Sequence, residues 1–315
     1  MGSRGIGPIK SERDLFAALH PPQVVRLNMS KTLQDILQPM HLTQVLDIGA
    51  NPIDGDPPYK KMLDASLCTV TGFEPQPSAL DELIRKKGPN ERYLPYAVGD
   101  GQSHLLNICR WSGMTSLLEP DPAAFSVFEI LSPNAEILHR VPIQTRRLDD
   151  LQEVSHIDLL KIDIQGGELA VFQSGRQKLK TAVAIQTEVS FMTLYKNQAT
   201  LGDIDIELRR QGFVPHCFAE VKKFPISPLV VNGDPYLPTN QLLEADMVYV
   251  RDFTRPETMS VEQIKQLAMI AHHCYGSVDL VMRLILVLEK MQALAQGESL
   301  QYLELLKAGN SQAQR

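Results

Sequence analysis

From Gln44 onward the sequence alternates between short β-rich runs and stretches of helical periodicity, an order of elements that few folds accommodate. Strands that alternate with helices predict a parallel sheet covered by helices on both faces. Three runs, VLDI, DLLKIDI and VAIQTEV, are apolar on both faces, as central parallel strands are. The β-rich runs are VLDI, TVTGF, RYLPYAV, HLLNIC, VPIQTR, DLLKIDI and VAIQTEV, and the helical stretches are YKKMLDAS, SALDELIRKK, GELAVFQSG and LGDIDIELRRQG.

The pattern changes at the end of this region. The runs GFVPHCFAEV and ADMVYVRDF have no helical stretch between them, and a segment rich in Pro, Gly and Asn joins them from Lys222 to Glu244. This arrangement predicts an antiparallel pair that closes the sheet, with a long surface loop.

Helical patterns flank the sheet region on both sides. We divide the chain into an N-terminal helical segment (1–40), a sheet domain (41–253) and a C-terminal helical extension (254–315). We expect the extension to be a packed cap or the surface of a homodimer. The predicted helices are SERDLFAALH, opened by Ser11; Ser30 to Leu37; Val261 to about His273, opened by a Ser260–Gln263 capping box; 278–294; and 299–307.

Composition argues against several classes of protein. The formal charge of −6, without a basic stripe, argues against a nucleic-acid partner. The longest apolar run, 284–288, is too short to span a membrane, and the first ten residues lack the apolar core of a signal peptide. The four cysteines are scattered without a C-x-x-C pair, as is typical of free thiols in a reducing cytoplasm. We therefore expect a soluble cytoplasmic protein.

The candidate site residues are those that end the predicted strands, because ligands of open α/β sheets bind at the carboxyl ends of the strands. The loop after the first strand, GANPIDGDPP, lacks the two further glycines of a dinucleotide fingerprint. A nucleoside without a pyrophosphate, S-adenosylmethionine, suits this loop. The residues that we assign to its binding are Asp47, Gly49, Asn51, Glu74, Ala97 and Val98.

Each part of this ligand has a predicted partner. Gly49 lets the backbone approach closely, and Asp47 places negative charge near the ammonium group. Glu74 can accept hydrogen bonds from both ribose hydroxyls, and Ala97 and Val98 lie beside the predicted position of the adenine. The segment RWSGMTSL is a candidate lid.

Seven sequence blocks together resemble the FkbM-type methyltransferases over Val45 to Phe253. The resemblance implies a Rossmann-like class I methyltransferase fold, with a mostly parallel seven-stranded sheet and an antiparallel last strand. It also implies S-adenosylmethionine as the donor and O-methylation of a small-molecule or carbohydrate acceptor. The blocks are VLDIGAN, GFEPQPSALDEL, YAVGDG, SGMTSLLEP, TRRLDDL, IDLLKIDIQGGELAVFQSG and TEVSF.

The sequence departs from this family at two places. The loop reads NPIDGDPPY where the family has Asn-x-Gly after its Gly-Ala, and Gln165-Gly166 stands where the family has Glu-Gly. The first departure bears on the geometry around the methionine tail. The second bears on any role that needs a charge at position 165.

Methyl transfer to a hydroxyl requires a group that removes the hydroxyl proton. Asp163 is the first candidate for this catalytic base, Glu188 the second and His216 the third. Asp163 and Glu188 could instead hold Mg²⁺, which would lower the pKa of the hydroxyl. The sequence leaves base and metal as alternatives.

Two other classes of protein remain open at this point. A nicotinamide oxidoreductase would share Asp47, Gly49 and Glu74 but would need the missing glycines. A non-catalytic adaptor with the same fold would act through the C-terminal helices.

Overall fold

The computed structural model describes residues 31–51 and 55–313, with side chains up to residue 308. In these residues the helices are α1 (Leu33–Leu37), α2 (Lys60–Asp64), α3 (Pro77–Lys86), α4 (Pro122–Val127), α5 (Glu168–Ser174), α6 (Leu201–Arg210), α7 (Val261–His273), α8 (Val278–Lys290) and α9 (Glu298–Ala313). The strands are β1 (Thr43–Ile48), β2 (Cys68–Phe73), β3 (Glu91–Leu94), β4 (Ala97–Gly99), β5 (Ser103–Cys109), β6 (Ile137–Arg147), β7 (Leu159–Ile162), β8 (Ala184–Ser190), β9 (Phe213–Lys223) and β10 (Leu242–Arg251).

The main sheet has seven strands in the order β3-β2-β1-β7-β8-β10-β9. The pairs from β3 to β8 are parallel, whereas β10 is antiparallel to both β8 and β9. This confirms the predicted Rossmann-like sheet, including its antiparallel last strand. The strand order reverses between β1 and β7, so the carboxyl ends of these two strands flank the switch point where such sheets bind ligands.

A second, three-stranded sheet has the order β4-β6-β5. The run RYLPYAV, which we predicted as one strand, is divided between the two sheets: β3 ends at Leu94 and β4 begins at Ala97. Proline lacks the N–H that a ladder hydrogen bond requires, and Pro95 stands at this division. The prediction of a single strand was therefore wrong.

The faces of the main sheet belong to two apolar clusters. Val45 packs in the cluster that includes α7 and α8, whereas the next residue, Leu46, packs in the cluster that includes α5 and α6. This follows from the alternation of side chains along a strand. Every residue of β8 is buried, as predicted for a central strand.

The helix boundaries differ from the prediction in three places. The N-cap of α1 is Thr32 rather than Ser30, because Thr32 and Asp35 form a capping box. Helix α8 ends at Lys290, before the left-handed residue Gln292, and α9 extends beyond position 307. The predicted capping box of α7 is confirmed by hydrogen bonds of 3.0 and 3.2 Å. The helix predicted at Ser11 lies outside the described residues.

Two predictions from composition can be compared with the structure. All four cysteines are free thiols, as expected. Within the described residues, every helix is too short or too polar to cross a membrane.

Candidate functional site

A cleft opens at the switch point, beside the carboxyl ends of β1, β2 and β7, and encloses about 740 Å³ including its open mouth. The cleft brings together five of the six residues that we predicted to bind the donor, together with the first candidate base. Its walls include Gly49, Asn51, Glu74, Ala97, Val98 and Asp163. The sixth predicted donor residue, Asp47, lines the neighbouring cavity instead.

Gly49 connects the loop after β1 to the end of β7. Its φ is +79°, and a Cβ atom at this position would lie 1.9 Å from the carbonyl oxygen of Asp163. The N–H of Asp163 in turn donates to the carbonyl of Ile48 at 3.0 Å. A side chain at position 49 would therefore disturb both the loop and the candidate base. Gly49 is thus required for the packing of the loop against the backbone of Asp163, and its close approach to a ligand stays a prediction.

Glu74 ends β2 as a buried carboxyl group, with 2% of its surface exposed. Its Oε1 accepts a hydrogen bond from the N–H of Gln76 at 2.7 Å. Burial raises the pKa of Glu74 to about 7, and this hydrogen bond opposes the rise. The carboxyl group therefore changes charge near neutral pH while lining the cleft.

Asp47 lies near the end of β1, before the loop that contains Gly49, with 3% of its surface exposed. The hydroxyl of Tyr59 donates to its Oδ2, and Lys161 Nζ lies 3.7 Å from its Oδ1. No group among the described residues donates a hydrogen bond to Oδ1. Burial raises the pKa of Asp47, whereas Lys161 and Tyr59 act in the opposite direction.

The sequence analysis assigned neither Lys161 nor Tyr59 to Asp47. The signal for Lys161 was a charged residue within the apolar run DLLKIDI, since a buried charge needs a partner. No comparable signal distinguished Tyr59, which precedes a short helix.

The side chain of Gln165 forms hydrogen bonds with both Asp163 and Glu188, the first two candidate bases. Its Nε2 donates to Asp163 Oδ1 at 3.0 Å and to Glu188 Oε2 at 3.1 Å. Its Oε1 accepts a hydrogen bond from the Tyr195 hydroxyl at 3.1 Å. The backbone of Gln165 is left-handed, with φ of +56°, and its carbonyl accepts from Ser116 at 2.7 Å. One neutral amide, with two N–H donors, thus holds two carboxyl groups, whereas a glutamate at this position would have a single O–H donor when protonated and none when ionised.

Glu188 lies in an acidic and buried environment. Burial is the main cause that raises its pKa well above the usual range, and Glu244 and Asp163 add to the rise. Lys222 opposes it, and Lys222 Nζ lies 2.9 Å from Glu244 Oε1. Glu188 therefore favours its neutral form, which is a poor proton acceptor.

His216 lies apart from this group. It occupies the bulge where Cys217 pairs with Val248 and Pro215 pairs with Tyr249. It stands four residues before Glu220 in β9, or about 13 Å at ~3.3 Å per residue, whereas Glu220 is level with Asp246 and Glu188. Its Nε2 lies 2.6 Å from Ser277 Oγ, and burial lowers its pKa. The structure does not bring His216 to the cleft.

A second cavity adjoins the cleft at Asn51 and Asp163, which line both. It encloses about 2650 Å³, including its open mouth. Lys161, Lys222 and Asp246 contribute charged groups to its walls. Asp163 therefore lies where a ligand of the cleft and a ligand of the second cavity would meet.

The candidate lid contributes to the cleft through its small and polar residues. Ser112, Thr115 and Ser116 line the cleft, whereas Trp111 is 42% exposed. Ser116 also contacts Gln165, as described above. The segment is thus linked to the end of β7.

Sequence comparison identifies the domain. Residues 47–215, more than half of the chain, match the Methyltransferase FkbM domain family. The 2-O-methyltransferase NoeI of Sinorhizobium fredii (strain NBRC 101917 / NGR234) is 27% identical over 175 residues, which cover 50% of this chain and 67% of that protein.

Solved structures give a weaker likeness. Magnesium protoporphyrin IX methyltransferase (ChlM) from Synechocystis PCC 6803, with bound SAM, is 11% identical with a TM-score of 0.34, over 67% of this chain and 72% of that chain. Precorrin-6y C5,15-methyltransferase from Geobacter metallireducens GS-15 is 13% identical with a TM-score of 0.32, over 71% of this chain and 93% of that chain. Scores this low carry no argument about the function of this chain.

The family match extends from the last part of β1 to the start of β9, so it includes Gly49, Glu74 and Asp163. Among the three classes of protein that the sequence left open, this match supports only the methyltransferase. The chain belongs to the FkbM family and is an S-adenosylmethionine-dependent methyltransferase.

Proposed function

We propose that this enzyme methylates a hydroxyl group of a small molecule or carbohydrate, with Asp163 as the catalytic base. The observation that carries the proposal is the position of Asp163, which lines both the cleft and the second cavity. The donor occupies the cleft, and the acceptor hydroxyl enters from the second cavity.

The residues of the cleft fit S-adenosylmethionine, which supplies an electrophilic methyl group when bound. Glu74 accepts the ribose hydroxyls, while Ala97 and Val98 contact the adenine. Asp47 Oδ1 has no hydrogen-bond donor among the described residues, and it accepts a hydrogen bond from a water molecule that the ammonium group also contacts. Asn51, at the boundary of the two cavities, binds near the methionine tail.

Three features of the chain support Asp163 as the base in preference to Glu188. Gln165 holds Asp163 Oδ1 with one hydrogen bond, so the carboxylate is oriented while its second oxygen remains for the substrate. Glu188 favours its neutral form and helps to position Gln165. An acceptor hydroxyl held within about 3 Å of Asp163 transfers its proton as the oxygen attacks in line.

The same geometry does not fit Mg²⁺ between Asp163 and Glu188. The Gln165 amide N–H groups lie between the two carboxyl groups and donate to both, so they occupy the place that a shared cation would take. The proposed mechanism therefore uses no metal ion between Asp163 and Glu188.

The 2-O-methyltransferase relative supports a hydroxyl acceptor, and the size of the second cavity supports one as large as a sugar. The test is transfer of labelled methyl from S-adenosylmethionine to a panel of mono- and oligosaccharides and phenolic compounds, with and without chelator. Transfer to an oxygen at a rate that does not depend on added Mg²⁺ is the expected result. Transfer to nitrogen or carbon only, or activity that disappears with chelator and returns with Mg²⁺ but not with Zn²⁺, would contradict the proposal.

Calorimetry with S-adenosylhomocysteine tests the donor side separately. Glu74→Ala removes an acceptor of two hydrogen bonds, each worth about 1.5–3 kcal/mol when the acceptor is charged. Unchanged affinity in a folded Glu74→Ala protein would show that the ribose assignment is wrong.

A further inference from the structure

Three side chains with metal-ligand chemistry converge at the opposite, amino-terminal edge of the sheet. His41 precedes β1, and His156 and Asp158 precede β7. Their ligand atoms all lie within 4.8 Å of one another. His41 Nε2 is 3.0 Å from Asp158 Oδ2, and His156 Nε2 is 2.9 Å from Asp158 Oδ1. Among residues 31–51 and 55–308, no other group of three or more His, Cys, Asp or Glu side chains has ligand atoms this close together.

Asp158 is buried among ligand-type groups. Its side chain is 1% exposed, and the ion pairs found for it in the described part of the chain are those to the two histidines, without Lys or Arg. A buried carboxylate whose side-chain partners are imidazoles has the ligand chemistry of a metal site. The N–H of Gln44 donates to Asp158 Oδ2 at 2.8 Å, which leaves Oδ1 as the better placed ligand.

We propose that His41, His156 and Asp158 bind a zinc ion. Two imidazole nitrogens and one carboxylate oxygen are a common zinc ligand set, with the fourth, tetrahedral position left for water. Bonds of about 2.0–2.1 Å put ligand atoms roughly 3.3 Å apart, so the present separations need only small rotations of the side chains. The two histidines are 33% and 35% exposed, which gives the ion a route from solvent.

Glu262 supports this arrangement from helix α7. Its Oε1 lies 3.5 Å from His41 Nδ1, the nitrogen that does not face Asp158. A carboxylate on the far nitrogen of a ligating histidine fixes its tautomer and raises its basicity. Glu262 Oε1 also accepts hydrogen bonds from Met40 N at 3.0 Å and Gln266 Nε2 at 2.9 Å, so it is held in place.

The zinc site joins three parts of the chain: the segment before β1, the loop before β7 and helix α7. It lies at the far end of β1 from Gly49, about 20 Å away at ~3.3 Å per residue. We therefore assign it a structural role, in which zinc stabilises the fold without contacting either substrate.

The first measurement is zinc binding to the tag-free, full-length chain. Titration with zinc chloride against a chromogenic chelator should give one equivalent per chain, and Co²⁺ should give the visible absorption of a four-coordinate site. Zinc at a hundredfold excess over Kd should raise Tm by roughly 5 °C or more.

Variants identify the ligands. His156→Ala and His41→Ala should each weaken zinc binding by more than about tenfold and should lose the rise in Tm. His139→Ala is the matched control, because His139 is an exposed histidine on β6, and it should bind zinc as the parent does.

Three results would overturn the site. They are the absence of stoichiometric zinc binding, unchanged affinity in both ligand variants, and an equal loss of binding in the His139→Ala control. If one ligand variant does not fold, the other still decides. A Tm that responds to pH but not to zinc would leave a hydrogen-bonded histidine–aspartate group and no metal site.

Discussion

The two edges of the main sheet hold buried carboxyl groups in contrasting ways. At the carboxyl edge, Glu74 and Glu188 are buried with raised pKa values. At the amino edge, Asp158 is more completely paired, with a backbone N–H and two imidazole rings. At the carboxyl edge the buried groups face a cavity that can take a substrate, whereas at the amino edge Asp158 ties the segment before β1 to the loop before β7.

The backbone of the two sites themselves differs in the same sense, although Ser66 and Gly212 at the amino edge also have positive φ. Gly49, Gln165 and Gly166 at the carboxyl edge all have positive φ. At the amino edge, Thr43 and Asp158 continue into β1 and β7 through ordinary ladder contacts, such as the 2.8 Å bond from Asp158 N to the Gln44 carbonyl. We therefore expect variants at the carboxyl edge to change catalysis most and variants at the amino edge to change stability most.

The largest expected effect is that of Asp163→Asn. The amide keeps the shape of the side chain but cannot accept the hydroxyl proton, so turnover should fall by roughly 10²–10⁴-fold. Methyl-transfer rates and a thermal melt, each with and without chelator, would measure this. A large fall in Tm with little loss of turnover would instead assign Asp163 to the stability of the strand end and contradict the difference between the two edges.

Gly49→Ala should affect both properties. The positive φ and the contact with the Asp163 carbonyl should cost about 2 kcal/mol or more in the free energy of unfolding. Affinity for S-adenosylhomocysteine should fall as well, because the loop must move. Gly233→Ala is a suitable control, since Gly233 also has positive φ but a Cβ atom there would meet no neighbouring atom within 4 Å. Equal effects of the two substitutions would show that conformation alone, and not the contact, matters at position 49.

Asp158→Ala tests the amino edge. It removes the acceptor of the Gln44 N–H and of both histidines, so the free energy of unfolding should fall by about 1–3 kcal/mol. Denaturant unfolding would measure the loss. The kcat of the remaining folded protein should be unchanged, and a lower kcat at unchanged stability would reverse the roles of the two edges.

Gln165→Glu introduces the residue that the FkbM pattern has at this position. An ionised glutamate would repel Asp163, and the donor N–H would be lost, so turnover should fall by about tenfold at pH 8. The deficit should shrink at lower pH as the new carboxyl group is protonated. A deficit that does not vary with pH would show that the lost donor N–H, and not charge, sets the role of this residue.

The smallest effect concerns the pH dependence of donor binding. Because the pKa of Glu74 is raised to about 7, the carboxyl group becomes neutral as the pH falls below 7 and accepts hydrogen bonds less well. Affinity for S-adenosylhomocysteine should therefore fall between pH 8 and pH 6, by no more than about tenfold. Glu74→Gln should flatten this profile, and an unflattened profile would assign the pH dependence to another group.

The same contrast explains how much could be predicted from the sequence. Strands and helices followed from local periodicity, and Gly49 and Glu74 followed from the rule that sites lie at carboxyl strand ends. The break at Pro95 was visible in the sequence, but the pairing of β4 in a second sheet could not be predicted, because it depends on the distant partner strand β6. The contact of Gln165 with Glu188 likewise depends on the register of β7 against β8.

His216 shows where the rule was misapplied. Since β9 runs parallel to β8, with β10 between them, its own carboxyl end reaches the site edge. That end carries Glu220 and Lys222, which line the second cavity, whereas His216 stands near the start of the strand. Applying the same rule to β9 would have indicated Lys222.

The meeting of the two cavities at Asp163 has a consequence for protein engineering. The far wall of the second cavity comes from β9 and β10, through residues such as Lys222 and Asp246, and these do not line the donor cleft. If the donor occupies the cleft and the acceptor the second cavity, as we propose, a library of substitutions confined to that wall would vary acceptor preference while the donor pocket is kept intact. On this assignment the part of the enzyme that can be retargeted is separate from the part that must be kept in any redesign.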